Sequence, residues 1–429
     1  MQGTVWASLK CTAQQDKLGK KAYENCGPIY IYKEEVSVPP LGYVDDVLTI
    51  AKCGNDAVVN NAIVNAFTES KKLEYNRKKC KKIHIGKTND ICPELKVHNG
   101  KLAESESEKY LGDLITSTGK IKPNINSRRE KGFGIASEIL SILEEVPLGK
   151  FKVQIGLILR QAMLINGILH NSEVWSDLIL SEVKLLEDVD EYLLRSIFRA
   201  HSKTSLEFIH LETGTKPIRF IIASRRLNYL QNILKKPANE LIHRVYEAQK
   251  KNPTKGDWIQ LVMNDLDLIG EQLDEERIRS MSKNKFKRHV KKKIENAAFE
   301  YLEGLKNQHS KVKDIKYMRL ETQPYILSEN FTNVDICTLF ALRSRMTNVK
   351  KNFSNQFRNN LLCKLGCSDM DNQEHLLECR IIQEKLEDKF KLAESEYSDL
   401  FGTVKQQCEI IRIFSEILEV REALIEAQQ

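Results

Sequence analysis

The sequence predicts an α+β protein in which a mixed first part of about 120 residues is followed by a mostly helical remainder. Three observations predict it. In the first part, short apolar runs at 29–31, 48–50, 82–85 and 111–115 alternate with a helical pattern over 62–73. After about Lys120 strand signals become few and helical periodicity takes over. Further on, Cys363, Cys367, His375 and Cys379 cluster at the spacing of a small metal-held segment.

The elements follow in order. Pro39-Pro40 cannot continue a helix and opens the segment Leu-Gly-Tyr-Val-Asp-Asp-Val-Leu-Thr-Ile over 41–50. Its apolar arms flank a polar tip, which predicts a hairpin with Asp45 and Asp46 at the bend. A helix is predicted over 157–169. In the next one Leu185, Val189, Leu193 and Ile197 share a face, with Glu187, Asp188, Asp190 and Glu191 mostly off it. Gly214 and Pro217 mark a turn between helical blocks. Ile410, Phe414, Ile417 and Leu424 stripe a final amphipathic helix, read as core rather than as a partner surface. No internal repeat or low-complexity linker interrupts the chain.

Composition bounds the function. The chain is 429 residues long, enough for roughly two to four domains. With 41% hydrophobic and 29% charged residues, it has a folded composition. No stretch approaches the roughly 20 apolar residues of a membrane span. The first residues carry no export signature, so the ten scattered cysteines are expected to be reduced thiols, in the nucleus and cytoplasm. No Ser/His/Asp or Cys/His nucleophile arrangement and no phosphate-binding glycine loop stands out.

Net charge is only +7, but it is concentrated locally. Lys283, Lys285, Lys287, Arg288, Lys291, Lys292 and Lys293 follow one another with no acid between them. Such a run can neutralise phosphates and release counterions. The alternative is a solvated helix face beside Asp274, Glu275 and Glu276.

Two constellations carry chemistry. Adjacent carboxylates such as Asp45 and Asp46 repel each other unless a cation compensates. Mg²⁺ suits oxygen-only ligands, and two such ions about 4 Å apart can drive nucleotidyl transfer. The alternative is a solvated turn. The second constellation is C-x3-C-x7-H-x3-C from Cys363 to Cys379, which can close a structural tetrahedral Zn²⁺ site. Gly366 suits the tight turn between its first two ligands. Reduced core thiols with a surface histidine are the alternative, and Cys337 is a less favoured substitute ligand.

The order of four segments resembles the reverse transcriptases of non-long-terminal-repeat retrotransposons. Gln2-Gly3-Thr4-Val5-Trp6-Ala7-Ser8-Leu9 is similar to the family's Gln-Gly segment, and Tyr43-Val44-Asp45-Asp46 to its palm hairpin. The stretch 76–86 around Lys79 resembles the next palm motif. The stretch 108–115, with Gly119, resembles the primer-grip hairpin. The knuckle with Gln373-Glu374-His375 follows in the family's order, after a helical thumb and linker at 193–198 through Arg225-Arg226-Leu227.

The resemblance implies an incomplete polymerase palm over 1–120, a helical thumb over 121–200 and a helical linker over 201–355. A zinc-knuckle-like segment over 356–385 and C-terminal helices over 386–429 complete it. Asp45 would bind the catalytic Mg²⁺, with Asp46 in the same charge cluster. Gln2, Gly3, Tyr43 and Val44 would floor the template and nucleotide site. Lys79 would meet the nucleotide phosphates or protonate the leaving group, against a surface lysine as its alternative. Lys150, Lys152 and Arg160 are candidate contacts to the duplex backbone, with a plain surface charge as the favoured alternative for each one singly. The implied partners are an RNA template, a DNA primer and deoxynucleoside triphosphates.

One departure qualifies the implied activity. The family places a first metal-binding aspartate and a fingers subdomain upstream of the Gln-Gly segment, whereas only Met1 precedes Gln2 here. Asp16 follows Gln2 in a predicted helix and cannot fill that role. The expectation is therefore an RNA-directed DNA polymerase fragment, inactive alone. A non-enzymatic nucleic-acid-binding remnant is the alternative.

Overall fold

The computed structural model describes residues 29–31, 34–36, 38, 40–43, 46–73, 76, 78–86, 93–97, 100–146, 151–357, 360–386 and 396–428. Gln2, Gly3, Val44 and Asp45 lie outside the described residues. Helices dominate, and the strands are few and short, so the chain is α+β. Among the described residues the strands form five separate two-stranded pairings. No described helix is long and apolar enough to cross a membrane. The chain divides into two compact units.

The first unit comprises 1–127, 171–182 and 225–288. Its first described elements are β1 (Ile29–Ile31) against β2 (Glu34–Val36), then β3 (Leu41–Tyr43) against β4 (Asp46–Leu48). Leu41 pairs with Leu48 and Tyr43 with Asp46. Helix α1 (Gly54–Ser70) comes next. The short strands β5 (Lys81–Lys82), β6 (Lys96–Val97), β7 (Gly100–Lys101) and β8 (Ala103–Glu104) follow it.

A second hairpin joins β9 (Ser107–Tyr110) to β10 (Asp113–Thr116). Its turn residues Leu111 (φ 47°) and Gly112 (φ 91°) both take positive φ, as a two-residue turn that matches strand twist requires. Glycine adopts this freely, but a leucine does so at a cost of about 1–2 kcal/mol. Tertiary bonds hold the turn nonetheless. Asn171 donates Nδ2 to the Leu111 carbonyl (3.0 Å) and to Asp113 (2.8 Å). Asn124 Nδ2 (2.8 Å) and Trp175 Nε1 (3.3 Å) also donate to Asp113.

Helix α2 (Lys122–Glu145) begins in this first unit and ends in the second. The second unit comprises 128–170, 183–224 and 289–429. The expected helix over 157–169 is present, but it is composite. Helix α3 (Lys152–Leu159) widens into a π-helical stretch, Arg160–Ile165, before α4 (Asn166–Ile168). Next come α5 (Leu180–Phe198), α6 (Leu206–Thr213) and α7 (Ile218–Leu234).

The buried face of α5 carries Val189, Leu193 and Ile197 as expected, but Leu186, not Leu185, is fully buried there. Asp190 also lies on that face, 2% exposed, because Arg160 meets it from the π-helical stretch. Arg160 is thus correspondingly buried and neutralised. Its expected role as a duplex contact is corrected: the charge is spent inside the protein.

Helices α8 (Leu241–Lys251), α9 (Trp258–Leu268) and α10 (Glu275–Ser280) belong to the first unit. There Leu227, Leu230 and Val262 form core, and Gln231 Nε2 donates to the carbonyls of Ile278 and Met281 (both 3.0 Å). The basic run opens α11 (Lys283–Lys306). Helices α12 (Pro324–Leu327) and α13 (Asn333–Arg343), a 3₁₀ segment Lys350–Gln356, α14 (Gln373–Glu378) and α15 (Arg380–Gln383) follow in the second unit. A second 3₁₀ segment, Tyr397–Phe401, leads into α16 (Val404–Glu426).

Phe340 packs on Phe198 (4.6 Å between ring centroids) and Phe208 (5.2 Å) in the second unit's core. Ile410, Phe414 and Ile417 of α16 are fully buried. The final stripe is therefore core over these three residues, while Leu424 is half-buried, and burying each core side chain contributes about 1.5–3 kcal/mol.

Candidate metal centre

The segment from Leu361 to Gln383 assembles the four clustered ligands. Leu362 bridges Met370 in antiparallel sense, the Cys363 N–H donates to the Asp369 carbonyl (2.9 Å), and the Asp371 N–H to the Leu361 carbonyl (2.8 Å). These bonds fold the chain back on itself, with Cys363 and Cys367 flanking the turn. Gly366 sits in that turn at φ +95°, where an L side chain is strained, and its N–H donates to the Cys363 carbonyl (3.2 Å).

The chain then enters α14. Asn372 caps it by accepting from the His375 N–H (2.6 Å), which sets His375 in the first turn. Cys379 follows the last residue of α14 and caps α15, so it lies about one helical turn beyond His375.

The three sulfurs and one imidazole nitrogen all lie within 4.8 Å of one another, and Cys367 Sγ is 3.3 Å from Cys379 Sγ. Ligands at zinc distances in a tetrahedron would sit roughly 3.5–3.8 Å apart. Cys363, His375 and Cys379 are buried and Cys367 is half-buried. His375 Nε2 is buried with no hydrogen-bond partner, and an orphaned buried nitrogen of this kind costs free energy unless a donor or a cation meets it. Burial pushes the Cys379 thiol up to about 12, with Cys367 and Cys363 adding in the same direction, and burial raises Cys363 as well. A divalent cation would reverse that preference and draw off the protons. The residues fit: the cluster can hold a metal ion such as zinc.

Around the cluster is a buried polar shell. Arg421 of α16 donates to both carboxylate oxygens of Asp371 (3.0 Å each) and to the Asn348 carbonyl (2.7 Å). Gln373, fully buried, accepts from Thr347 Oγ1 (2.6 Å) and Asn352 Nδ2 (2.8 Å) and donates to the Leu342 carbonyl (2.9 Å). Sequence reasoning missed Asp371 and Arg421 as supports, and it singled out Gln373 only as part of Gln373-Glu374-His375.

The other expected site residues are not gathered in this way. Tyr43 is 61% exposed at the end of β3, and Asp46 is exposed opposite it on β4. Burial, then the charge of Asp46, raises the Tyr110 phenol of the β9–β10 hairpin. Asp46 joins no cluster of three potential ligands among the described residues. Lys79 is exposed on a turn, its N–H donating to the Asn76 carbonyl (2.9 Å). On α11, Lys283, Lys285, Lys287, Arg288, Lys291 and Lys292 are exposed, and Lys293 is half-buried. Cys337 lies on α13, outside the cluster, so it is no substitute ligand. Comparison with protein-family models, with curated proteins and with solved structures gives no match.

Proposed function

We propose that the chain is part of an RNA-directed DNA polymerase of a non-long-terminal-repeat retrotransposon, carrying a structural Zn²⁺ on Cys363, Cys367, His375 and Cys379. The supporting observation is the β3–β4 hairpin. Its register pairs Tyr43 with Asp46, and the Asp46 charge reaches Tyr110 on the hairpin that resembles a primer grip. Adjacent carboxylates, as Asp45-Asp46 supply in sequence, are what metal-assisted nucleotidyl transfer needs. A cluster in which all four positions are protein ligands leaves none open for substrate, so the zinc would hold structure.

The test is primer extension on an RNA template by protein expressed from the gene's full reading frame. Asp45→Ala and Asp46→Ala should each lower extension by at least about 100-fold while leaving template–primer binding intact. Unchanged extension in Asp45→Ala would sink the polymerase assignment.

A second reading, non-enzymatic nucleic-acid binding, is favoured by one observation. Six cations of the 283–293 run are exposed on α11. It predicts salt-sensitive binding that survives loss of Asp45 and Asp46 and weakens when that run is neutralised.

A further inference from the structure

The segment between α13 and the metal loop carries a feature that no sequence motif announced. The 3₁₀ stretch Lys350–Gln356 is anchored by Asn352, which is buried and donates Nδ2 to the Thr347 carbonyl (3.0 Å) and to Gln373 (2.8 Å). At Phe353 the backbone leaves helical geometry (φ −125°, ψ 37°). Phe353 and Phe357 are both half-buried. Their Cα atoms can be at most about 14 Å apart, four residues of fully extended chain.

Each ring has at least one lysine beside it. Lys311 Nζ lies 5.3 Å from the Phe353 ring centroid, and the exposed His201 ring lies 4.9 Å from it. Lys350 and Lys364 each lie 5.9 Å from the Phe357 centroid. Among the described residues none of Lys203, Lys311, Lys350 and Lys364 forms an ion pair with a carboxylate. Three of them rest on neutral oxygens instead. Lys311 donates to the Asn352 carbonyl, Lys364 to Asn348 Oδ1 (3.1 Å) and Lys350 to Asn360 Oδ1 (3.4 Å).

The contrast with the interior of the same unit is sharp, for Arg160, Arg343 and Arg421 each meet a carboxylate there. The surface cations also crowd one another. Burial and then Lys203 lower Lys311. Uncompensated like charges held close together are an arrangement that an anion relieves.

We propose that Phe353, Phe357, Lys203, Lys311, Lys350 and Lys364 form a binding surface for single-stranded nucleic acid. Bases stack on the two phenylalanines, and phosphates meet the lysines on either side. A small anion would have no use for the rings. Single strands offer a π-face and a phosphate at every step, and stacking on aromatic side chains is their general mode of recognition. The basic face of α11 differs in this respect, because Phe286, the one aromatic residue in the 283–293 run, is 5% exposed. That face can supply backbone electrostatics but no stacking platform. The surface shares nucleic-acid binding with the proposed function and needs nothing of its catalysis.

The test uses the full chain, purified with zinc, and fluorescence anisotropy with labelled single-stranded RNA and DNA 12-mers. A duplex of the same sequence and phosphatidylserine vesicles serve as further arms. Phe353→Leu/Phe357→Leu should weaken single-strand binding by at least about tenfold and leave its salt slope unchanged. Lys311→Gln/Lys364→Gln should weaken binding and lower the slope by roughly 1.4, from two phosphates at about 0.7 each. Phe357→Trp, which keeps a ring in place, should show fluorescence quenching on binding and guards against a double variant that misfolds. Wild-type affinity in a folded Phe353→Leu/Phe357→Leu variant would overturn the proposal. So would binding confined to duplex or vesicles, or loss only on neutralising Lys285, Lys287 and Lys292 of α11. Primer extension reads the polymerase proposal separately, so the two can fail independently.

Discussion

Arg421 and Asp371, 50 residues apart, form a buried ion pair in which one guanidinium nitrogen lies 3.0 Å from each carboxylate oxygen. Arg421 is 2% exposed and Asp371 is fully buried. The pair ties the last helix to the loop that carries Cys363 and Cys367. The Asp371 backbone serves the same loop, because its carbonyl accepts from the Lys351 N–H (2.9 Å) and its N–H donates to the Leu361 carbonyl (2.8 Å). Metal loop, 3₁₀ stretch and α16 thus share one residue.

Breaking this pair should therefore act on stability and metal affinity together. Arg421→Gln leaves the Asp371 carboxylate buried without its counter-charge, which costs about 3–5 kcal/mol. Urea unfolding should show that loss. Competition with a chelator should show zinc bound roughly 10–100-fold more weakly, as when a residue behind the ligands is lost. Arg421→Leu with Asp371→Asn should recover part of the stability, because no unpaired charge remains. A single variant with unchanged zinc affinity would separate the pair from the metal centre.

Metal analysis of the purified chain should find about one zinc per molecule. Co²⁺ substitution should give the intense visible band of tetrahedral thiolate-ligated cobalt, and Cys379→Ser should abolish it. Chelation should also lower the unfolding temperature, because a bound metal would hold together the 361–383 segment that packs on Asn352 and α16. Much less than one zinc, with the three cysteines free to react with a thiol reagent in the native protein, would leave the cluster as reduced thiols.

What could be read from the sequence was local. Apolar arms around Asp45 and Asp46 predicted a hairpin, and β3 and β4 pair there. The Cys/His spacing predicted a cluster, and all four residues converge. Both signals lie within one short stretch, where spacing alone constrains geometry. Pairings between distant residues could not be read. Asp190 looked like a surface acid on an amphipathic helix, yet a π-helical widening brings Arg160 to meet it inside the core. Nothing in Arg-Gln-Ala-Met-Leu-Ile marks that widening, since the same apolar spacing suits an α-helix. The stacking surface around Phe353 was likewise invisible, because its cations come from three separate segments.

Acid should destabilise the second unit through His210. This side chain is 4% exposed, with Nδ1 2.8 Å from Thr215 Oγ1. Burial lowers its pKa to about 4, against an opposing pull from Asp190. Between about 4 and 6.5 the unfolded chain holds the proton and the folded one does not. The contribution is therefore present above pH 6.5 and is lost as pH falls toward 4, by about 3 kcal/mol over the window. Asp265, raised to about 6 by burial, works in the opposite direction, so the informative quantity is the difference between variant and parent. His210→Gln should flatten the slope of unfolding free energy against pH over that window. An identical slope in the two proteins would remove His210 as the cause.

Gly214 should be among the least replaceable residues outside the metal centre. It ends α6 at φ +66°, and a Cβ built there would lie 2.3 Å from the Thr322 nitrogen and 2.4 Å from the Glu321 carbonyl carbon. Those atoms cannot retreat easily. Thr322 Oγ1 donates to the Thr213 carbonyl (2.8 Å), and the Gln323 N–H donates to the Glu212 carbonyl (2.9 Å), so two bonds hold the segments together beside the glycine. Glu212 is itself fixed by Arg343, Tyr317 and Tyr325. Gly214→Ala therefore adds a left-handed backbone penalty to an overpacking penalty, together about 2–5 kcal/mol. Gly270 gives the control, since it has φ +65° with nothing within 4 Å of a built Cβ. Gly270→Ala should cost about 1–2 kcal/mol, the backbone term alone. Urea unfolding of the two variants isolates the steric term as their difference, and equal losses would show that the 321–323 segment yields.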